Sequence, residues 1–337
     1  MEQRKIMSLG RSSLVISLPK HWTELNGLKQ GDTVSLTENR DRSLAVYPGL
    51  GRRREDQRIT LTIDPNEKDF LITRRLIACY LNGYYGIRLT SNNIFTVNQL
   101  RAIRSIVQAL YMRIMQSDAK QMYIEALIDE SKVQVQSSIN RMYVISSSMC
   151  RDVFLALKTQ DTNLAKAVYA LEDDVDHFAY LLLRLLRNAA VDSSLANQLS
   201  LDPLDCLDFQ TLVQRIEQTA DQASNVARHI IMLGENHQIS PTVLDRIHSA
   251  GNKALALYDK AVGALSQKDI GCCDEVIGSQ SQIEKLDQEI AYLAFDREKD
   301  TEIICASCSI RDSIRRIADY AVDICQITIN QAHKPSI

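Results

Sequence analysis

Long apolar runs are missing from this sequence. No stretch approaches the roughly 18 to 20 residues that a membrane span requires, and the best candidate, Phe178–Leu186, is interrupted by Arg184. The first ten residues, MEQRKIMSLG, are charged and then turn-like, so they do not form the apolar segment of a secretion signal. A cytoplasmic location without membrane insertion is the expectation. Cysteine is also scarce: eight thiols in 337 residues, irregularly spaced, do not make a disulfide framework. The pair Cys305-Ala-Ser-Cys308 lacks a second CxxC or a nearby His to complete a zinc site, so buried, reduced thiols are expected there and at Cys272 and Cys273. No glycine-rich phosphate loop, Ser/His/Asp set or reactive Cys/His pair occurs, which argues against an enzyme.

Glycine and proline are absent from long stretches, and this absence divides the chain. No Gly occurs between Gly86 and Gly234 and no Pro between Pro65 and Pro203. Residues 131–334 are therefore read as all-helical, with helices at about 131–159, 162–190, 207–235, 241–266, 269–300 and 304–332. The first 50 residues differ. Leu14, Ile16 and Leu18 alternate, as do Val34 with Leu36 and Leu44 with Val46, the period of short strands. Gly10 to Ser13 make a hairpin turn, Pro19 opens a helical turn, and Gly27 with Gly31-Asp32 closes it. About 50 residues without disulfide or metal have too little interior of their own, so this element is expected to complete its core with a second copy, as a homodimer. A basic linker spans 51–57. Residues 58–130 then read as a small α/β domain: a strand at Ile59 to Ile63, a helix at about 66–82, a strand near Ile87 and Leu89, a second helix carrying Val97 to Val107, and two apolar runs. It carries no motif, and packing or dimerisation is its expected role.

Charge is distributed unevenly. Residues 1–54 hold ten Lys/Arg against five acids, a net +5, whereas the remainder has 29 basic and 37 acidic residues, a net −8. A basic head on an acidic body suits a nucleic-acid-binding module joined to something else.

The helical half repeats internally. Val175-Asp176-His177-Phe178 matches Ile283-Glu284-Lys285-Leu286 at an offset of 108, and Ile216, Ala220, Asp221 and Ala223 match Ile314, Ala318, Asp319 and Ala321 at an offset of 98. The difference is absorbed in the loop at 191–206. Two three-helix units, about 131–235 and 241–332, follow.

Two resemblances rest on these residues. Gly10-Arg11-Ser12-Ser13-Leu14-Val15-Ile16-Ser17-Leu18-Pro19-Lys20, followed by Gly27-Leu28-Lys29-Gln30-Gly31-Asp32, resembles the AbrB/SpoVT family over residues 3–48. That resemblance implies a swapped-hairpin dimeric β-barrel whose basic face contacts DNA, with Arg4, Lys5, Arg11 and Lys20 as the phosphate contacts here. The helices Glu217-x-x-x-Asp221-x-x-x-Asn225 and Arg315-x-x-x-Asp319-x-x-x-Asp323 look like the PhoU family over roughly 131–332. That resemblance implies tandem three-helix bundles that restrain phosphate uptake through a phosphate transporter ATPase and a sensor kinase, without catalysis. The combination of the two parts resembles archaeal phosphate regulators.

The PhoU resemblance also implies a metal site built from acidic i, i+4 pairs on neighbouring helices. The first unit has both pairs, Glu172 with Asp176 and Glu217 with Asp221, which would suit a divalent or trivalent cation. Each of Asp176 and Glu217 lies about 100° from the apolar residue before it, so the site is expected on a solvent-exposed bundle flank. In the second unit Gln280 and Arg315 replace two of the acids, and Arg315 is expected to pair with Glu284 or Asp319.

The leading reading is a DNA-binding transcriptional regulator, a negative regulator of phosphate uptake. The alternative is a metal-binding adaptor that inhibits the transporter ATPase or the kinase by protein contact, its N-terminal domain only dimerising. A di-iron enzyme built on Asp174-x-x-His177 and Asp245-x-x-His248 is a third, disfavoured by Lys285 at the repeat position of His177.

Overall fold

A computed structural model of the chain describes residues 2–10, 12–38, 42–49, 57–234 and 238–335. The chain divides into two compact units, Met1–Asp56 and Gln57–Ile337. Apart from Gln57, the linker expected over 51–57 lies outside the described residues.

The first unit is two antiparallel hairpins around one short helix. Strand β1 (Met7–Leu9) pairs with β2 (Ser13–Val15), helix α1 (Lys20–Leu25) follows with Pro19 at its cap, and β3 (Val34–Glu38) pairs with β4 (Leu44–Pro48). Gly10 adopts a φ of +73° at the first turn, a left-handed conformation that glycine takes without strain. None of the described residues of this unit is buried. Its alternating apolar side chains, Leu9, Leu14, Ile16, Leu36 and Leu44, are between 58% and 74% exposed.

The second unit begins with a four-stranded mixed sheet in the order β5-β6-β8-β7. Strand β5 (Arg58–Thr62) runs parallel to β6 (Gly86–Thr90) through the crossover helix α2 (Asp69–Leu81). Helix α3 (Val97–Ala109) leads to the hairpin of β7 (Met112–Ser117) and β8 (Gln121–Ala126), turned by Asp118, whose carboxylate accepts from the Lys120 and Gln121 amides. One face of the sheet, with Ile87, Leu89, Met122 and Ile124, is buried under Ile72 and Leu76 of α2 and Ile103 and Val107 of α3.

The helical body consists of α4 (Val135–Thr159), α5 (Thr162–Ala170), α6 (Glu172–Val191), α7 (Ser193–Gln198), α8 (Pro203–Leu233), α9 (Pro241–Gln267), α10 (Ile270–Gly278), α11 (Gln280–Arg297) and α12 (Thr301–Ala332). Two differences from the sequence reading have local causes. The helices expected at 162–190 and 269–300 each break, at Leu171 and at Ser279, and the loop expected at 191–206 contains α7, capped by the Asp192 carboxylate. The repeat extends to the corners. Gln160 and Lys268 both end their helices in the left-handed conformation, Asp161 and Asp269 cap the next helices, and Asp202 and Asp300 cap the last ones, at the offsets of 108 and 98.

The two repeats share one hydrophobic core. Gly251 on α9 lies under the Phe154 ring of α4, where a Cβ would come within 2.8 Å, and Tyr258 shares a hydrogen bond of 2.8 Å with Ser146. Helices α8 and α12 run antiparallel, joined by rungs between Lys334 and Asp205 (2.6 Å), Arg215 and Asp323 (2.7 Å), and Asn225 and Ser313 (2.8 Å).

The sheet module is locked to the body by the residue that interrupts the apolar run. Arg184 of α6 is 5% exposed. It pairs with the buried Glu130 at 2.6 Å and donates to the carbonyls of Tyr80, Gly83 and Tyr84 at the C-terminal end of α2. Its guanidinium also sits 4.7 Å from the Tyr80 ring centre. A cation is favoured there because the last carbonyls of a helix lack partners within it. Gly83, at φ +86°, lies so close to Asn188 that a Cβ would meet its Oδ1 at 2.5 Å.

Candidate metal centre

Helices α6 and α8 pack through Val175, Ala179 and Leu182 against Ile216, Ala220 and Ala223, all buried. Alanines at this contact let the backbones come close. Three of the four carboxylates predicted from sequence directly follow a buried residue: Asp176 follows Val175, Glu217 follows Ile216 and Asp221 follows Ala220. They therefore emerge along the seam between the helices. One oxygen from each of Asp176, Glu217 and Asp221 lies within 4.8 Å of the others. Glu172, one turn before Asp176, accepts a hydrogen bond from Ser224 Oγ, which lies beyond Asp221 on α8.

The seam is not the open flank expected from sequence. Asp176, Glu217 and Asp221 are half-buried. Asp173, Asp176, His177 and Tyr180 of α6 form one wall of a cleft of about 240 Å³, and Thr73 of α2 with Ser105 of α3 lie on the other. The sheet module thus covers ground that the helical half alone would leave to water.

No cation compensates these charges: among the described residues, no lysine, arginine or histidine forms an ion pair with Asp176, Glu217 or Asp221. Burial, then the neighbouring acids Asp221, Glu172 and Asp173, push the Asp176 carboxyl up to about 7. Burial followed by Asp221, Asp176 and Glu172 takes Glu217 to about 8, and burial with Glu172 takes Asp221 to about 6. Removing a carboxylate from water disfavours its charged form, and a second carboxylate nearby adds to that cost. A set of oxygen donors short of positive charge fits a hard or borderline cation.

The second repeat resolves the same problem internally. Gln280 Nε2 donates to Asp319 at 3.2 Å, and Arg315 stands between Asp312 at 2.7 Å and Asp319 at 3.5 Å. The expected pairing of Arg315 with Asp319 is present, but Asp312, one turn earlier, is the nearer partner and Glu284 takes no part. Elsewhere, His177 meets the Tyr111 ring edge-on and His248 lies beside Asn252, so neither His of the di-iron reading joins an acidic cluster among the described residues. The CxxC thiols depart from the buried expectation as well: Cys305 is exposed and Cys308 half-buried on α12, because i, i+3 positions share the outer face.

In the first unit, Arg4 pairs with Glu2, Lys20 lies 3.7 Å from Glu24, Lys5 is exposed, and Arg11 lies outside the described residues. Ser224 and the module wall of the cleft were missed at the sequence level. Ser224 was within reach of a helical-wheel argument, being three residues from Asp221. Thr73 and Ser105 were not, since nothing local connects them to α6.

A tandem pair of three-helix repeats, with an acidic seam in the first that no cation among the described residues compensates, is the architecture that carries this cluster. The PhoU domain model matches residues 139–230 and 247–328, more than half of the chain, and the chain belongs to the PhoU family. Residues 8–57 match the model described as antidote-toxin recognition MazE, bacterial antitoxin. Among solved structures, PhoU from Pseudomonas aeruginosa aligns at 20% identity with a TM-score of 0.52, covering 59% of this chain and 95% of that one. The phosphate transport system regulatory protein PhoU from Streptococcus pneumoniae aligns at 15% identity with a TM-score of 0.51, covering 60% and 95%. A search of curated proteins returns no match. Among the described residues, no helix is long and apolar enough to cross a membrane.

Proposed function

We propose that this chain is a negative regulator of phosphate uptake that binds DNA as a dimer. The observation that carries this reading is the joining of a PhoU body to a basic, coreless β unit matched by the MazE model. Two copies exchanging hairpins would bury Leu14, Ile16, Leu36 and Leu44 and bring Lys5, Arg11 and Lys20 together in duplicate. Charges so arranged neutralise backbone phosphates and give affinity that salt weakens. In the body, Glu172, Asp176, Glu217 and Asp221 would hold a divalent or trivalent cation, which would supply the positive charge their seam lacks.

The reading is tested by binding to promoter-length duplex DNA over a salt series. Retention at about 50 mM salt that falls steeply by about 200 mM is expected, and weakening by Lys5→Ala with Lys20→Ala places the contact in the first unit. No retention at about 50 mM salt rejects it. A second reading, an adaptor acting on a transporter ATPase or sensor kinase by protein contact, is favoured by the pairing of Arg4 and Lys20 with acids of their own unit, which leaves less charge for phosphate. That reading predicts an intact dimer indifferent to DNA.

A further inference from the structure

One face of the mixed sheet is buried under α2 and α3, and the other stands open. The strand register sets out the side chains of the open face in rows across the order β5-β6-β8-β7. One row reads Arg58, Gly86, Glu125, Arg113, and the next reads Thr60, Arg88, Tyr123, Gln116. A third adds only threonine and glutamine. All three arginines are exposed, and Glu125 is the one acid in these rows. Tyr123, on a central strand, lies across Gly86, where a Cβ would come within 2.7 Å of its hydroxyl. The Arg58 and Arg88 guanidinium groups stand 5.9 and 5.5 Å from its ring centre, so the middle of the face is a platform of planar groups. No aliphatic side chain stands in the rows, which leaves no pocket for the apolar anchors of a protein partner. A face that meets only water usually mixes both signs of charge. Three cations to one acid is a bias, and the whole module shares it: residues 57–127 hold nine Lys/Arg against five Asp/Glu, whereas 128–337 hold 20 against 30. A polyanion approaching the second unit is therefore drawn to the module and repelled by the helical body.

We infer that the open face of the sheet binds single-stranded nucleic acid. Arg58 and Arg113 are three strand spacings apart, about 14 Å, with Arg88 between them in the next row, so the backbone phosphates of an extended strand can meet all three. Unstacked bases lie flat on the planes of Tyr123 and its flanking guanidinium groups, a contact that tolerates any sequence because every base has a flat face. A duplex is the poorer fit, since its grooves admit a helix or a two-stranded ribbon rather than a four-stranded face. This contact goes beyond the one proposed for the first unit and does not depend on it.

The experiment uses the full chain carrying Lys5→Ala and Lys20→Ala, so that the contact proposed for the first unit is weakened throughout, and follows the fluorescence anisotropy of labelled oligothymidylate and oligouridylate of about 12 nucleotides. Binding of at least one of them is expected, about twentyfold weaker at about 200 mM salt than at about 50 mM for three phosphate contacts. Adding Arg88→Ala with Arg113→Ala should weaken binding and cut that dependence to about threefold. Tyr123→Leu, which keeps an apolar body over Gly86, should weaken binding about fivefold or more while the salt dependence stays as it was. Circular dichroism and thermal melting unchanged from the parent show that neither loss is unfolding. With 5-iodouracil in the oligomer, irradiation followed by trypsin should place the cross-link in peptide 121–132, which holds Tyr123 between the cleavage sites Lys120 and Lys132. Absence of binding at about 50 mM salt, or cross-links confined to other peptides, overturns the inference. So does displacement by polyglutamate as readily as by unlabelled oligomer of equal charge, which would mark a face for acidic protein instead. The duplex test of the first unit reads a different ligand and different residues, so either reading can fail alone.

Discussion

At the scale of single residues, the acidic seam makes stability depend on pH in an unusual direction. Asp176, Glu217 and Asp221 have folded-state values of about 7, 8 and 6, above the roughly 4 of carboxyls in an unfolded chain. Between those limits the folded state holds protons that the unfolded state has lost, so stability is fully present below about pH 4 and is lost as pH rises through the folded values. Urea titration of cation-free protein is expected to show a loss of roughly 1–2 kcal/mol from pH 5 to pH 8, the figure reduced for the solvent that still reaches the groups. The double variant Asp176→Asn with Glu217→Gln should lose markedly less over that range, only the Asp221 titration remaining, and be more stable than the parent at pH 8. Manganese should restore the parent at pH 8 and leave the variant unmoved. The four acids were legible because i, i+4 spacing sets side chains on one stripe of a helix. Their partial burial was not, because the residues of α2 and α3 that shield them lie some seventy to a hundred positions earlier and carry no pattern pointing to α6.

At the scale of elements, Arg184 decides how the sheet module is held. Arg184→Ala leaves Glu130 charged, buried and deprived of its guanidinium, and frees the carbonyls at the end of α2. Breaking a buried pair from one side costs about 3–5 kcal/mol, and hydrogen exchange should show α2 and the strands beside it opening before the helical body does. Arg184→Lys is expected to recover less than half of the loss, since one ammonium cannot reach Glu130 and three carbonyls together. Some element boundaries could be read in advance, because Pro241 and the glycine-free interval fix where helices begin and persist, although the helix expected from 207 begins four residues earlier, at Pro203. The break at Ser279 follows Gly278, which is poorly suited to a helix interior, whereas nothing in the sequence around Leu171 marks the break there.

At the scale of the whole molecule, none of the described residues of the first unit is buried. Under the proposed pairing of the first unit, light scattering is expected to give a dimer for the parent and a monomer for Ile16→Asp with Leu36→Asp, while the thermal transition of the second unit stays in place because none of its core residues is touched. The division into a β-rich head and a helical body was legible from strand alternation and from the missing glycine and proline. The merging of the two repeats was not. Equivalent residues tell of a shared ancestor, but only side chains that differ between the copies, such as Phe154 against Gly251, fit one half to the other.

The rungs from Lys334 to Asp205, Arg215 to Asp323 and Asn225 to Ser313 follow α8 from its first turn to Asn225 and α12 from Ser313 to just past its end. Each rung takes one end from either half, so neither half carries a complete ladder. A body doubled in its lineage has thus become indivisible in its mechanics: severed from its sibling, either trio would expose a cleaved spine of orphaned charges and bare aliphatic rows, and natural trimming of this chain to a single trio is closed off by the very bonds that join the pair.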